Sequence, residues 1–457
     1  MSYILLVFIV FNLFCSSAVY SNSGTQATDR YYGNPIVPHI GLTDSHIRCY
    51  NNRLYNFATQ DYTPHTSRFI MKKWWVWSTA DLVNWTFESE LSPSVLGFPK
   101  GFENCWATDS HFNNGKYYWY VCNPQNTYVV TSDSPSGPWT APIGNKPLME
   151  GRDPSVFKDD DGKVYLVTDV WNFKIAELGD DMISLKTVPA ILKISNPRGP
   201  YNPDGLNVRQ PTDDKPFLHK HNNLYYLSWG CYYAVSDNIF GPYSYKGCFI
   251  VPERTDSVFM QEDYGLTHDR HGSFFEWNNQ TYFICNDLSS NGAKKHWRNS
   301  VISYVHYTDD GSIEPLHLTV TGVARYDAQN GKIEAENYYD ISSGRKCEIG
   351  DGMYAVELSA DDGELLFTNV SGLSNKNALS LRLNRTLVSG EASVQLWSFK
   401  DGKKERMFAE CELPDVKNKY FELKMVLSEP LNDTENLLLV FKSDRPGNVS
   451  LDYFRFL

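Results

Sequence analysis

Basic residues are scarce in this sequence: 42 lysines and arginines stand against 54 aspartates and glutamates, and the formal net charge is −12. Nucleic-acid partners need a basic face that binds phosphate groups, so this balance argues against them. Helix-period patterns are also scarce, and short runs rich in tyrosine, valine, tryptophan and phenylalanine take their place. With 14% aromatic and 21% charged residues, the chain is too apolar and aromatic to be disordered.

Long apolar runs are missing as well, except for one that covers residues 4–14. This run is too short to span a membrane, and small residues from Cys15 to Ala18 follow it. The pattern predicts a signal peptide over residues 1–21 and a secreted, extracellular protein without a membrane partner. Six Asn-x-Ser/Thr sequons then predict glycosylation at Asn84, Asn279, Asn369, Asn384, Asn432 and Asn448.

The cysteines form no C-x-x-C motif, and no histidine-rich segment accompanies them, so we expect no zinc site. Nine cysteines are present, and removal of Cys15 with the signal peptide leaves eight. A secreted chain with an even number of cysteines is expected to form about two to four disulfides. Cys347 and Cys411 lie alone in the C-terminal part and are the predicted pair there. The other six allow about 15 pairings.

One sequence pattern recurs five times: a polar turn followed by an alternating strand that contains tyrosine. The tyrosines are Tyr55, Tyr118, Tyr165, Tyr226 and Tyr282, at intervals of 47 to 63 residues. Repeats of this length in a strand-rich chain are typical of propeller blades with four strands each. The repeats therefore predict a five-bladed β-propeller over residues 30–325.

The repeat stops at a polar segment, residues 326–332. Short alternating strands, such as residues 378–383 and 451–456, continue from there to the last residue. A segment of this length built from short strands predicts a β-sandwich of the jelly-roll type over residues 332–457. We therefore expect an all-β chain in which a propeller is followed by a sandwich.

Four aspartates stand at matching positions, each before a repeated tyrosine strand. They are Asp44, Asp109, Asp153 and Asp214. The innermost strand of each propeller blade lines the central channel, so we expect these carboxylates to converge there. Glycoside hydrolysis needs two carboxyl groups, one that protonates the leaving oxygen and one on the opposite face of the sugar. The pattern therefore indicates a glycosidase that acts on an oligosaccharide or polysaccharide.

The blocks around these aspartates resemble glycoside hydrolase family 43, whose members are five-bladed propellers that cleave arabinosides, xylosides and related linkages with inversion. The resemblance covers about residues 33 to 325. It is carried by Asn-Pro-Ile-Val-Pro at 34–38 before Asp44, Trp-Ala-Thr-Asp at 106–109, Asp-Pro-Ser-Val-Phe at 153–157, Asp-Asp-Asp-Gly-Lys at 159–163 and His-Gly-Ser-Phe-Phe at 271–275. It implies that Asp44 is the general base. It also implies that Asp153 positions the acid and keeps the pKa of the acid raised.

The general acid is where this sequence departs from the family pattern. The family has a glutamate in a Glu-Gly-Pro block, and here Asp214-Lys-Pro aligns with it, so the resemblance implies Asp214 as the acid. Aspartate is one methylene shorter than glutamate, and its carboxyl group is set back accordingly. Asp213, Glu262 and Asp109 are the alternatives. Loss of the acid would leave a non-catalytic, glycan-binding propeller, because leaving-group protonation would be missing.

Three further residues are predicted to contact substrate. Trp106 and Asp109 belong to a block that we expect at the channel mouth. The resemblance places His271 near the channel axis, where several family members hold a calcium ion or water, although Arg270 here replaces a family glycine. We expect no cofactor for the chemistry itself, with calcium near His271 in a structural role.

The C-terminal part resembles carbohydrate-binding module family 6. It opens with Ile-Glu-Ala-Glu at 333–336 and closes with Leu-Asp-Tyr-Phe-Arg-Phe at 451–456. The resemblance implies a structural calcium ion bound by Glu334, Glu336 and Asp452, and carboxylate oxygens are ligands that suit calcium. The sequence thus predicts a secreted, monomeric, inverting glycosidase, with the sugar left open among arabinose, xylose and galactose.

Overall fold

A computed structural model of the protein describes most of the chain. The described residues are 33–170, 172–195, 215–250, 270–287, 296–316, 318–350, 352–386, 390–416 and 419–457. They contain β-strands and short 3-10 helices, including Pro93–Leu96 and Ala335–Asn337, and no α-helix. The prediction of an all-β chain is therefore confirmed. Within the same residues, no helix is long and apolar enough to cross a membrane. The predicted signal peptide lies outside them.

The first part of the described chain forms five consecutive sheets. The first contains β1 (Leu42–Tyr50), β2 (Arg53–Gln60), β3 (Trp74–Thr79) and β4 (Thr86–Leu91). The second contains β5 (Trp106–Asn113), β6 (Lys116–Cys122), β7 (Asn126–Ser132) and β8 (Met149–Glu150). The third contains β9 (Ser155–Lys158), β10 (Val164–Thr168), β11 (Lys174–Glu177) and β12 (Ala190–Ile191). The fourth contains β13 (Ile194–Ser195), β14 (Phe217–His221), β15 (Leu224–Trp229), β16 (Tyr232–Ser236) and β17 (Tyr243–Cys248), and the fifth β18 (Gly272–Trp277), β19 (Gln280–Asp287) and β20 (Asn299–Val305).

One strand from each sheet takes part in a closed ring. The strands are β1, β5, β9, β14 and β18, each of which contacts the next, and β18 contacts β1. Strands of a twisted sheet that meet in this way enclose a central axis, as the inner strands of a propeller do. Residues on these five strands are therefore brought together although they are far apart in sequence.

The first hairpin of most sheets owes its tight turn to asparagine and glycine. Both turn residues have positive φ in Asn51-Asn52, Asn114-Gly115, Asn222-Asn223 and Asn278-Asn279. Turns of this kind match the right-handed twist of the flanking strands, and asparagine and glycine adopt positive φ at the least cost. The turns fix the register of the inner hairpins, and the repeated tyrosines all lie on the second strand, β2, β6, β10, β15 and β19.

Aromatic side chains fill the spaces between adjacent sheets. Phe57 and Trp74 of the first sheet pack with Trp119 of the second and with Trp139, and these side chains are buried. The Phe57 and Trp119 rings meet edge to face, with centroids 5.2 Å apart. The high aromatic content is thus used largely for packing between sheets, because each ring buries a large apolar area.

The remainder of the described chain forms two six-stranded sheets. Their strands are β21 (Tyr326–Asp327), β22 (Ile333–Glu334), β23 (Asp340–Ser342), β24 (Gly344–Gly350), β25 (Met353–Ser359), β26 (Glu364–Ser371), β27 (Ala378–Thr386), β28 (Ala392–Lys400), β29 (Lys403–Glu412), β30 (Phe421–Val426), β31 (Thr434–Ser443) and β32 (Asn448–Phe456). One sheet is built from β21, β23, β26, β28, β29 and β31, and the other from β22, β24, β25, β27, β30 and β32. Apolar side chains from both sheets form one core cluster. We call this region the C-terminal module.

Polar contacts join the C-terminal module to the fifth sheet. The Gln280 side-chain amide donates to the Glu336 carbonyl oxygen at 2.8 Å, and the Tyr338 hydroxyl donates to the Asn279 carbonyl oxygen at 2.7 Å. Both contacts use the hairpin turn between β18 and β19. The module is therefore anchored at the outer side of the fifth sheet.

Eight cysteines lie among the described residues: Cys49, Cys105, Cys122, Cys231, Cys248, Cys285, Cys347 and Cys411. Cys231 and Cys248 lie closest, with their sulfur atoms 2.9 Å apart. Cys347 lies on β24 of one module sheet and Cys411 on β29 of the other. The predicted disulfides, including the Cys347–Cys411 pair, stay a prediction.

Candidate active site

Asp44 lies at an irregularity of the inner strand β1. The register between β1 and β2 shifts between Thr43 and His46, and Asp44 has φ of +52°. A non-glycine residue with positive φ is uncommon and is held there by its surroundings. The bulge turns the Asp44 side chain toward the ring axis, where it is 3% exposed.

The Asp44 carboxylate receives hydrogen bonds from two residues of the fifth sheet. Arg298 Nη1 and Asn286 Nδ2 both donate to Asp44 Oδ1, at 3.0 and 2.9 Å. His271 Nε2 lies 3.5 Å from the same oxygen. A carboxylate that accepts charge-assisted hydrogen bonds is held in one orientation, so these partners fix the direction of the Asp44 side chain.

Arg298 binds a second buried carboxylate in addition to Asp44. Its Nη2 donates to Asp61 Oδ1 at 2.9 Å, and its Nε donates to Asp61 Oδ2 at 3.0 Å. Burial raises the pKa of Asp61, and the Asp44 charge adds to that effect, whereas Arg298 opposes it. The guanidinium thus bridges the two carboxylates, because Nη1 donates to Asp44 and Nη2 donates both to Asp61 and, at 3.3 Å, to Asp44 Oδ2.

Asp153 precedes β9 and also has positive φ, at +56°. Its backbone N–H donates to Cys122 Sγ at 3.2 Å, and Arg152 Nε lies 3.6 Å from Asp153 Oδ2. Burial raises the pKa of the Cys122 thiol well above its usual value, and the Asp153 charge adds to this. The thiol is therefore neutral and serves as a hydrogen-bond partner.

Asp44 and Asp153 share one cavity of about 160 Å³. Its lining residues are Asp44, Phe69, Met71, Trp106, Ala107, Arg152, Asp153, His271 and Arg298. The cavity combines two carboxylates with basic and aromatic groups, which is the composition of a site for a polar ligand with apolar faces. Of the predicted residues in the described chain, the structure brings Asp44, Asp153, Trp106 and His271 together here.

Trp106 forms one wall of this cavity. The Arg152 guanidinium carbon lies 5.2 Å from the centroid of its ring, a cation–π distance. The indole therefore contributes its ring to the cavity wall, and its buried N–H has no hydrogen-bond partner among the described residues.

Asp109, which was predicted to contact substrate, lies outside the lining of this cavity. It is fully buried on β5, where Arg48 Nε donates to its Oδ1 at 2.9 Å and Val156 N–H donates to its Oδ2 at 2.7 Å. Burial alone would raise the pKa of Asp109, but the Arg48 and His46 charges and these hydrogen bonds outweigh it and lower the pKa. The residue joins the second and third sheets, and its substrate contact stays a prediction.

The predicted general acid, Asp214, lies outside the described residues, as do its alternatives Asp213 and Glu262. Lys215 is the first described residue after that segment, with φ of +56°. It occupies the position at which the family pattern has glycine, a residue that adopts positive φ at low cost. The backbone at this position thus has the conformation that the glycine would favour.

Of the three carboxylates predicted to bind calcium in the module, two have cationic partners, and a buried oxygen of the third, Glu336 Oε2, has no hydrogen-bond partner among the described residues. Glu334 pairs with Lys332 at 2.8 Å, and Asp452 is bonded by Arg382. Burial raises the pKa of Glu336 to about 8, and the Glu334 charge contributes to the rise. Calcium binding by these three carboxylates stays a prediction, because calcium takes several carboxylate oxygens and two of these groups have cationic partners here.

Near His271, where calcium was also predicted, the Asp44 carboxylate has Arg298 as its cationic partner. In the described chain no three or more His, Cys, Asp or Glu side chains are grouped to hold a metal ion. Calcium at either site therefore stays a prediction, and no step of the chemistry is assigned to it.

The sequence did not predict the residues that hold Asp44. Arg298, Asn286 and Asp61 lie 254, 242 and 17 positions from Asp44 (298 − 44, 286 − 44 and 61 − 44) and carry no local motif. Lys215 lies in the block that aligned with the acid motif, so a departure from the family pattern was visible there. The ring closure between β18 and β1 is what brings the first two to the site.

Comparison with known proteins gives the same family. The sequence profile of "Glycosyl hydrolases family 43" matches residues 32–313, well over half of the chain. An arabinoxylan arabinofuranohydrolase of Paenibacillus polymyxa is 27% identical over 66% of this chain and 54% of its own length. Another, of Bacillus subtilis (strain 168), is 28% identical over 73% of this chain and 74% of its own length. The chain thus spans about half of the first relative.

A solved structure has the same fold. A family 43 arabinoxylan arabinofuranohydrolase from Bacillus subtilis, solved in complex with cellotetraose, matches with a TM-score of 0.54 and 22% identity. The match covers 93% of this chain and 98% of that chain, so it includes the C-terminal module. The profile match agrees with the motifs around Asp44 and Asp153, and the solved structure has the same fold. The chain therefore belongs to glycosyl hydrolase family 43 and is a glycosidase.

Proposed function

We propose that the protein is a secreted glycosidase that hydrolyses pentose linkages by an inverting, single displacement at the cavity between Asp44 and Asp153. The observation that carries the proposal is that both aspartates line one cavity, together with Trp106 and His271. Two carboxyl groups that flank one sugar are what the reaction needs. The cavity volume of about 160 Å³ is comparable with that of one pentose ring.

In the proposed mechanism, Asp44 is the general base. Its carboxylate is oriented by Arg298 and Asn286, and it takes a proton from the water that attacks the anomeric carbon. The positive charge of Arg298 favours the ionised form of Asp44, which a base requires. Asp153 is the second cavity carboxylate, and its negative charge would raise the pKa of an acid placed beside it.

The acid that protonates the leaving group is proposed to be Asp214, as in the family resemblance. Lys215, its neighbour, is buried close to Asp44 and Asp153, so the chain enters the channel at this point. Inversion allows carboxyl groups to be roughly 6.5–9.5 Å apart, which leaves room for an aspartate acid.

The substrate is proposed to be an arabinofuranoside or a xyloside. The relatives from Paenibacillus polymyxa and Bacillus subtilis are both arabinoxylan arabinofuranohydrolases. Trp106 supports the proposal because it lines the cavity and an aromatic ring can pack on the apolar face of a sugar. A galactoside is the third candidate.

We propose the finer architecture from the contacts between strands and from the sheet topology. The closed ring of five inner strands supports five propeller blades, and the two facing six-stranded sheets support a jelly-roll sandwich similar to family 6 carbohydrate-binding modules. We also propose secretion, glycosylation at the sequons and a monomeric state. Asn84, Asn279 and Asn432 are exposed, which glycosylation requires.

The test is hydrolysis of a panel of aryl glycosides, namely α-L-arabinofuranoside, β-D-xyloside and β-D-galactoside. Wild type is expected to turn over one of them with inversion, read by NMR of the released anomer, and Asp44→Asn is expected to lower kcat by roughly a hundred- to ten-thousandfold. Asp133→Asn is the matched control, because this aspartate is on the surface with 86% of its side chain exposed.

Two outcomes would contradict the proposal. Equal turnover by wild type and Asp44→Asn would remove Asp44 from the chemistry. Sugar binding by calorimetry without turnover of any glycoside would favour the non-catalytic, glycan-binding propeller.

A further inference from the structure

Lys215 is a lysine whose side chain is fully enclosed by the protein. It precedes β14 and is 1% exposed, which places it among the largest fully buried side chains of the described chain. An ammonium group is costly to bury unless other groups compensate its charge. A buried lysine at the ring axis of a glycosidase therefore needs a reason.

The ammonium group of Lys215 contacts the backbone of the proposed base. Its Nζ donates to the Asp44 carbonyl oxygen at 2.5 Å. Because β1 is irregular at Asp44, this carbonyl is turned out of the ladder with β2 and needs another partner. The Asp44 N–H donates to Asn286 Oδ1 at 2.9 Å, so Lys215 and Asn286 hold the two sides of the residue.

Ionisable groups from four strands or loops face the Lys215 ammonium. They are Asp44 and His46 on β1, Asp109 on β5, Cys122 on β6 and Asp153 before β9. Burial lowers the pKa of Lys215, whereas the Asp44, Asp153 and Asp109 charges oppose that effect. Asp109 already has the Arg48 guanidinium as its partner. The two cavity carboxylates have arginine partners as well, Arg298 for Asp44 and Arg152 for Asp153, so Lys215 adds a further positive charge beside them.

We propose that Lys215 is a positioning residue for the hydrolysis: its ammonium group holds the Asp44 backbone in the bulged conformation and keeps the Asp44 carboxylate ionised. The lysine does not line the cavity, so it acts through Asp44 and touches no substrate. The proposal rests on the proposed function in one respect, since it takes Asp44 as the base. It explains why the middle residue of the Asp-Lys-Pro block is a cation in this chain.

The first experiment compares wild type with Lys215→Met on the glycoside that wild type hydrolyses. Methionine keeps much of the side-chain volume and removes the charge. We expect kcat to fall roughly a hundredfold with little change in KM, because displacement of a catalytic group by about 1 Å has that effect. The acid limb of the pH profile of kcat/KM is expected to move to higher pH by about one pH unit, because a nearby positive charge is lost.

Among the described residues, the ionisable groups near Asp44 besides Lys215 are Arg298, His271, Asp61, Cys122, Arg152 and Asp153, and all of them remain in the Lys215→Met variant. Lys220→Met is the matched control, because Lys220 lies on β14 and pairs with Asp159 and Asp160 on the outer side. Its pH profile is expected to coincide with that of wild type. An unmoved acid limb in Lys215→Met would overturn the proposal, whatever the size of the activity loss.

A second variant tests the proposal even if Lys215→Met does not fold. Lys215→Gly suits the positive φ of this position and removes a side chain that has the length and charge of n-butylammonium. We expect n-butylammonium to restore at least a tenth of the lost activity, and n-butanol, which has the same chain without charge, to restore none. Equal rescue by both compounds would show that only volume matters and would overturn the proposal.

A readout without catalysis separates this proposal from the proposed function. In protein labelled with carboxyl-13C aspartate, the Asp44 resonance is identified by its absence in Asp44→Asn. Its titration midpoint is expected to rise in Lys215→Met even if wild type hydrolyses no glycoside, in which case the proposed function alone fails. An active wild type whose Asp44 midpoint is the same in both forms would refute the role of Lys215 alone.

Discussion

The part of the chain that contains β1–β20, which we call the propeller region, and the C-terminal module differ in the side chains that they bury. The propeller region buries many charged side chains, including Asp44, Asp61, Asp109, Asp153, Lys215, Arg270, Asp287 and Arg298. The module is held by an apolar cluster that joins its two sheets, and the buried charges of its described strands and 3-10 helix are Glu336, Arg385 and Asp452. Buried charges cost free energy unless each has partners, so a region that keeps many of them has a use for them.

The buried charges of the two regions differ in their relation to a candidate active site. Both regions are all-β and both carry acidic motifs in the sequence, yet the cavity that Asp44 and Asp153 share is lined by residues of the propeller region alone, as far as the described residues show. In the module, Glu334 pairs with Lys332, and the buried Asp452 pairs with the partly exposed Arg382. Variants in the two regions test this contrast.

The largest effect is expected from Arg298→Met, which removes the guanidinium between Asp44 and Asp61. Both carboxylates would be left buried without this partner, and removal of one member of a buried pair costs about 3–5 kcal/mol. The proposed base would also lose its orientation, so kcat should fall by roughly a hundredfold or more. Urea unfolding and the aryl-glycoside assay measure the two effects.

Arg345→Met is the control for that measurement. This arginine pairs with Glu357 on the module surface and is 76% exposed, so its loss should change the free energy of unfolding by at most about 1 kcal/mol. Similar losses of stability in both variants would contradict the special role of the buried network.

An effect on stability alone is expected from Phe454→Ala in the module core. Phe454 is 1% exposed, and its ring meets Phe367 edge to face at 4.7 Å. Truncation should lower the free energy of unfolding by about 3–5 kcal/mol. The kcat per folded molecule on a small aryl glycoside should be unchanged, because the cavity residues all lie in the propeller region.

Val426→Ala provides the comparison, since Val426 is in the same module and 70% exposed. It should change stability by less than about 0.5 kcal/mol. A fall in kcat of Phe454→Ala at a temperature where it is fully folded would show that the module shapes the cavity.

The smallest effect is a pH dependence of stability that originates in the propeller region. Burial lowers the pKa of His219 to about 3, whereas residues 333–457 contain no histidine. The unfolded chain binds a proton at this histidine below about pH 6.5 and the folded chain does not, so stability falls as the pH drops from 6.5 toward 3. At pH 5 this one residue should cost about 2 kcal/mol relative to neutral pH.

The comparison is wild type with His219→Phe, measured by urea unfolding at pH 7 and pH 5. Phenylalanine keeps the stacking on Tyr226 and Phe274 but does not titrate. The variant should lose about 2 kcal/mol less than wild type between the two pH values. An identical loss in both proteins would mean that His219 is not the source.

Much of the fold was visible in the sequence because its determinants are local. The Asn-Asn and Asn-Gly turns and the alternating strands that follow them predict hairpins without knowledge of any long-range contact. The all-β prediction is confirmed, and so is membership of family 43. Asp44 and Asp153 were found because each lies in a continuous motif, and the structure places both in one cavity.

The residues around them were not predictable in the same way. Asp109 also lies in a continuous motif, yet Arg48 and the Val156 N–H enclose it away from the cavity lining. Side-chain direction depends on which partner reaches a carboxylate, and a motif does not carry that information. Arg298 has no motif at all, although it contacts the proposed base.

The sequence by itself determined the elements of this protein: strands, tight turns, five repeats and the aspartates within them. Only the tertiary structure decided which of these groups meet. Closure of the ring brings β18 and its neighbours against β1, so that Asn286 and Arg298 reach Asp44 across more than 240 positions (286 − 44 = 242) of chain. The physical reason is that hairpins form from local backbone preferences, whereas buried charges take their partners from whichever strands the closed ring places beside them.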